Sequence, residues 1–174
     1  MNELELIRNQ LRAERTRVTR VALACASPQA TAAFRQSCVE YLVFVLTRFE
    51  ERDQMLADQY RARSAPSDPT RRQLEEIMSR SGTSREALAK LEVALKDSGP
   101  TSNRHWSDFG GFFVGPWRTR RDALDALQEH NSRVADWRAV SFVDADSIME
   151  ERTRYARVEP DLSARAAELD GPIL

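Results

Sequence analysis

The chain has 174 residues, 41% of them hydrophobic and 30% charged, with 26 basic side chains against 27 acidic ones. That length fits one ordinary domain with a sizeable core, and six glycines and seven prolines are too few for a collagenous or low-complexity chain. The near-neutral balance and a pI of about 6.2 argue against a protein built to grip nucleic acid, which is normally basic. The opening stretch MNELELIRNQLRAERTR is charged throughout, which predicts no secretory leader. The longest apolar run, residues 41–46, is too short to cross a bilayer. Cys25 and Cys38 each fall on an apolar helix face. A reduced, cytoplasmic domain without membrane contact is expected.

Leu4, Ile7, Leu11, Glu14, Val18, Val21 and Cys25 step by three and four, the spacing of one helical face, and predict a helix over 3–25. Ser27-Pro28 reads as a helix start, since Ser caps free N–H groups and Pro tolerates the first helical position. Phe34, Cys38, Leu42, Val45, Phe49, Leu56 and Tyr60 then carry a long helix over 28–62. SAPSDP at 64–69 is a linker, and Asp68-Pro69 restarts a helix whose apolar face is Leu74, Ile77 and Met78. Gly82 is expected to stop or kink it. Thr83 and Glu86 have capping-box spacing, and the helix they open is expected to bury Leu88, Leu91 and Leu95 before residues 97–103 end it.

An aromatic segment follows, with Trp106, Phe109, Phe112, Phe113 and Trp117 interrupted by Gly110-Gly111 and Gly115-Pro116. A further helix holds Leu124, Leu127, Val134 and Trp137, with a break near Asn131-Ser132. The last begins near Asp144 with Ile148, Tyr155 and Val158, and residues 159–174 read as a loosely held tail after a single domain over 1–158. No stretch alternates with period two. The expected fold is all-α: an up-and-down antiparallel bundle of four main helices with extra short ones.

Nucleophilic catalysis finds little support, since there is no Gly-x-Ser-x-Gly elbow and only two histidines stand as candidate bases. The cysteines, thirteen residues apart, read as small core residues, and neither zinc spacing nor a phosphate-cradling loop occurs. Glu14 stands where the first helical stripe demands an apolar residue, and His130 joins the stripe of Leu127, Val134 and Trp137. Bundles house metals by pointing such groups inward from facing helices. The plainer alternative pairs Glu14 with an inward arginine such as Arg52 or Arg152, because a buried charge needs a partner. For His130 it is a partly buried helix-end histidine.

Phe49-Glu50-Glu51-Arg52 is echoed by Met149-Glu150-Glu151-Arg152, each placing two acids after a large apolar residue. This repeat resembles that of hemerythrin-like (HHE) bundles, where a His precedes a Glu by four positions on two helices and the side chains bind two irons. The resemblance spans roughly residues 3–157 and implies a helical bundle. Thr47 stands where the first His is expected, with Asp146 or Ser147 at the second, and no His precedes residue 105. Only the acids Glu51 and Glu151 carry over. Separately, the run from Phe34 to Leu42, FRQSCVEYL, is similar to one in the Rsd/AlgQ anti-sigma regulators, small helical bundles that act by holding a sigma factor.

Trp106, Phe109, Phe112, Phe113 and Trp117 are either a plug closing the bundle or a partner surface, with Arg118, Arg120 and Arg121 beside them suited to an acidic partner. Because Phe112 and Phe113 diverge by about 100° on a helix, at least one is expected to face outward under the surface reading. Arg8, Arg12 and Arg15 share a face and read as solvated. Three functions stay open. The first is a non-catalytic regulatory binding module on a bundle without its di-iron site, needing no cofactor and binding another protein. The second is a sensor or oxidase holding iron or another divalent metal through Glu14, Glu51, His130 and Glu151. The third is a structural protein that homodimerises through its long helix.

Overall fold

A computed structural model describes residues 3–131 and 145–164, and every regular element among them is helical. In chain order these are α1 (Glu3–Ala26), α2 (Ala32–Arg63), α3 (Pro69–Ser79), α4 (Ser84–Lys96), α5 (Ser102–Phe112), a π-helical turn (Phe113–Trp117), α6 (Arg118–Asn131) and α7 (Ala145–Ala164). The His130 side chain, Val134, Trp137, the expected break at Asn131-Ser132 and the last part of the tail lie outside the described residues.

Helix α2 starts four residues later than the Ser27-Pro28 signal suggests. Thr31 is the cap, its hydroxyl accepting from the Phe34 N–H at 3.3 Å, while Ser27 and Ala30 close a turn at 3.0 Å. The remaining 32 residues make a rod of about 48 Å. Asp68 caps α3 as expected, accepting from Thr70 and Arg71 at 2.8 and 3.1 Å. The Thr83–Glu86 capping box is present, with bonds of 3.0 and 2.8 Å. Gly82 comes after the end of α3, in a left-handed conformation at φ +104°. A Cβ there would stand 2.5 Å from the Pro116 carbonyl oxygen, so the turn before α4 lies directly on the π-helical turn.

The aromatic segment differs from its sequence reading: α5, the π-helical turn and α6 are continuous. A proline inside an α-helix removes one hydrogen bond and crowds the carbonyl four residues back. The widened turn takes up Pro116 without ending the helix. Helix α4 also presents a slightly different face. Ser84, Ala87, Leu91 and Ala94 point inward, whereas Leu95 is exposed. Helix α7 continues past the expected boundary at 158, because Leu162 extends the inward series Glu151, Tyr155, Val158 and is fully buried.

The main core joins α1, α2, α4, α5, the π-helical turn and α7. A smaller one gathers Ala57, Leu74, Ile77, Leu124 and Leu127 from α2, α3 and α6. Helix α2 contributes to both and is the spine of the molecule.

Candidate functional site

The inward stripe of α1 carries one acid, Glu14, and that of α7 carries another, Glu151; both are buried. Arg17 donates to both oxygens of Glu151, and Tyr41 on α2 donates its hydroxyl to Oε1 at 2.7 Å. Arg48, also on α2, donates to Glu14 Oε1 at 2.6 Å. Burial raises the Glu14 carboxyl above its ordinary range, against the pull of Arg48 and Arg52, and the charge of Glu151 adds to the rise. Burial beside Glu151 likewise pushes the Tyr41 hydroxyl upward, so it stays a proton donor. Two of the expected contacts therefore change. The partner bonded to Glu14 is Arg48, one turn before Arg52, and Arg152 is exposed on the far side of α7.

One turn further along α2, Asp53 is fully buried. Arg121 reaches both its oxygens, one at 2.9 Å, while Arg52 and Arg120 stand 3.6 and 3.7 Å away. Arg120 also donates to the Ile77 carbonyl at 2.6 Å, tying the end of α3 to α6. Burial lowers Arg52 to about 10 and Arg121 to about 9. Cation and ring are stacked as well: the Arg121 guanidinium lies 5.4 Å over Phe49 and 5.8 Å over Trp117. Arg121, expected as a surface cation for an acidic partner, is instead a core residue, because position 121 falls on the stripe of Trp117, Leu124 and Gln128. Arg118 is exposed, 3.9 Å from Asp122.

Trp106, Phe109, Phe112, Phe113 and Trp117 are all buried. Their rings form a ladder of tilted and edge-on contacts, Trp106–Phe109 at 6.1 Å, Phe109–Phe113 at 5.1 Å and Phe113–Trp117 at 5.0 Å, ending on Phe49 of α2 at 5.8 Å. Phe112 and Phe113 do diverge, but the neighbouring helices cover both sides; the Lys90 ammonium lies 5.3 Å over Phe112. The segment is a plug. Its exposed members are Ser107, Asp108, Gly111, Val114 and Pro116.

The three metal candidates whose side chains are described are not all brought together. Glu14 and Glu151 face inward, but Glu51 is exposed, since the inward register of α2 runs through Phe49, Arg52, Asp53 and Leu56. The His130 side chain is outside the described residues. Among the described residues no group of three or more His, Cys, Asp or Glu is placed to hold a metal ion. The donor set does not fit the di-iron pattern of the resemblance. Cys25 and Cys38 are free and fully buried. Arg8, Arg12 and Arg15 are not simply solvated: Arg15 reaches Asp122 and Asp125 at 3.0 and 2.6 Å, Arg12 pairs with Glu129, and Arg8 reaches the Glu129 carbonyl at 3.4 Å. No helix among the described residues is long and apolar enough to cross a membrane.

Arg17, Tyr41, Arg48 and Asp53 were not singled out by sequence reasoning. The available signal was Arg52-Asp53 lying inside the apolar series of α2, together with Arg121 inside that of α6. Opposite charges on the inward stripes of neighbouring helices mark buried pairs. Compared with known proteins, the chain matches no family model, no curated protein and no solved structure.

Proposed function

We propose that this chain is a non-catalytic regulatory binding module, built on a hemerythrin-like up-and-down bundle in which ion pairs stand in place of a di-iron site. One observation carries this reading: the inward carboxylates Glu14, Glu151 and Asp53 are each held by a guanidinium rather than converging on a common point. A carboxylate already neutralised and hydrogen-bonded is a poor metal ligand, and an interior so filled is suited to a rigid scaffold rather than to chemistry. The up-and-down course of the first two helices is supported by their contacts, with Glu14 against Arg48 and Cys25 against Arg35.

The partner is another protein in the cytoplasm, met on the outer helix faces, because the aromatic segment is used up inside. No cofactor takes part. The test is elemental analysis and an absorption spectrum of protein purified without chelator, followed by affinity capture and titration with the purified captured protein. Less than one transition metal per chain and a saturable one-to-one complex are expected. Stoichiometric iron that survives dialysis and is lost in Glu14→Ala or Glu151→Ala overturns the reading in favour of a metal sensor or oxidase.

A further inference from the structure

Cys25 and Cys38 are the only cysteines in the chain, and the fold brings them together. Cys25 closes the inward stripe of α1, Cys38 lies near the start of that of α2, and the turn at 27–31 folds one helix back on the other. Both are free and fully buried in the same core cluster, and the neighbouring Cys38 thiol together with burial pushes the Cys25 thiol above its ordinary range. Arg35 fixes this register. It donates from Nε to the Cys25 carbonyl at 3.2 Å and from Nη2 to the Ser27 carbonyl at 3.0 Å, with its guanidinium 4.5 Å over Trp106. Helix α5 closes the side: a Cβ on Gly110 would stand 2.8 Å from Ala26 Cβ. Two thiols thus lie on the facing inward stripes of one helical hairpin, in one core.

We propose that Cys25 and Cys38 form a redox pair that an oxidant of the hydroperoxide class closes to an internal disulfide, stapling α1 to α2. One cysteine, as thiolate, attacks a peroxide oxygen: an S–O bond forms, the O–O bond breaks, and water leaves carrying the thiol proton. The sulfur has lost two electrons to the peroxide. The second thiol then attacks the sulfenic sulfur; the S–S bond forms, the S–O bond breaks, and hydroxide leaves with the second proton as water. Two thiols and one hydrogen peroxide give one disulfide and two waters. The neighbouring Cys38 thiol and burial keep the Cys25 thiol protonated, with the Arg35 charge pulling the other way, so the reaction follows transient opening of the hairpin and is slow. The pair responds to sustained oxidation, not to brief pulses.

The full chain is incubated natively with hydrogen peroxide, then denatured, alkylated with iodoacetamide and mapped by mass spectrometry. Expected are loss of two hydrogen masses, no alkylation, one linked peptide pair containing Cys25 and Cys38, reversal by dithiothreitol, and a higher melting midpoint for the oxidised form. Two alkylated thiols after long exposure, a bond between two chains, single-cysteine sulfinic acid, or a lower midpoint overturns the proposal. In Cys38→Ala the loss of two hydrogen masses must vanish; its persistence also overturns it. The wild-type map decides even if that variant does not fold.

Discussion

Arg17 holds Glu151 by both carboxylate oxygens, Nε to Oε1 at 2.8 Å and Nη2 to Oε2 at 2.6 Å. This fork joins the middle of α1 to α7, and Tyr41 adds a bond from α2 to the same carboxylate. Bidentate, charge-assisted bonds are directional as well as strong, so the contact sets the height of three helices against one another. Apolar side chains alone tolerate sliding by a turn; a carboxylate with three fixed donors does not.

Replacing Glu151 leaves the Arg17 and Tyr41 donors without their acceptor in a mostly buried place. Glu151→Ala is expected to cost about 3–5 kcal/mol, the range for breaking a buried pair by removing one partner. At roughly 2–4 °C per kcal/mol for a chain this size, the melting midpoint falls by at least about 6 °C. Tyr41→Phe removes one bond to a charged group and costs about 1.5–3 kcal/mol. In urea unfolding the double variant should lose less than the sum of the singles, because both act on one carboxylate. Strict additivity would show that Tyr41 and Glu151 do not share an interaction.

Gly110 and Gly111 are neighbours in one helix with opposite expectations. A methyl on Gly110 meets Ala26 Cβ at 2.8 Å, between two stiff helices, whereas nothing lies within 4 Å of one on Gly111. Gly110→Ala is therefore expected to destabilise by about 1–3 kcal/mol through overpacking. Gly111→Ala is expected to stabilise by roughly 0.5–1 kcal/mol, because alanine loses less backbone freedom in a helix. Thermal melts of the two variants check this directly; equal shifts would mean that α5 does not pack on α1 at Gly110.

The helical course of the chain was legible because apolar spacing, the Asp68-Pro69 start and the Thr83–Glu86 box are local signals. What failed was of two kinds. Ser27-Pro28 and Gly115-Pro116 look like boundaries, yet Thr31 supplies the working cap and a π-helical turn carries the chain through Pro116. Burial of Phe113 and Trp117 on either side of that turn outweighs the local cost of glycine and proline. The interior was legible only in part. Glu14 stood out as an acid among apolar residues, but its partner is chosen by how α1 meets α2, which no local pattern encodes. Arg121 was misread for the same reason: a cation beside aromatics on paper is a surface anchor or a buried counter-ion, and only the position of Asp53 decides.

The last prediction concerns pH. Burial raises the Glu14 carboxyl above its ordinary value of 4.5, with Arg48, Arg52 and Arg17 opposing and Glu151 reinforcing the shift. An acid whose folded pKa lies above its unfolded one binds its proton more tightly in the folded state. Its contribution to stability is then fully present below the unfolded pKa and is lost as pH rises through the raised folded value. Glu14→Gln keeps the shape and an acceptor for Arg48 but cannot titrate. Urea unfolding of both proteins from about pH 4 to about pH 7 isolates the effect, since every other group titrates in both. The stability of wild type minus that of Glu14→Gln is expected to be largest at the acidic end and to shrink as pH rises above 4.5. If the difference instead grows toward neutral pH, the Arg48–Glu14 ion pair outweighs the cost of burying the charge. The inward acid of α1 would then be a net stabiliser in its ionised form.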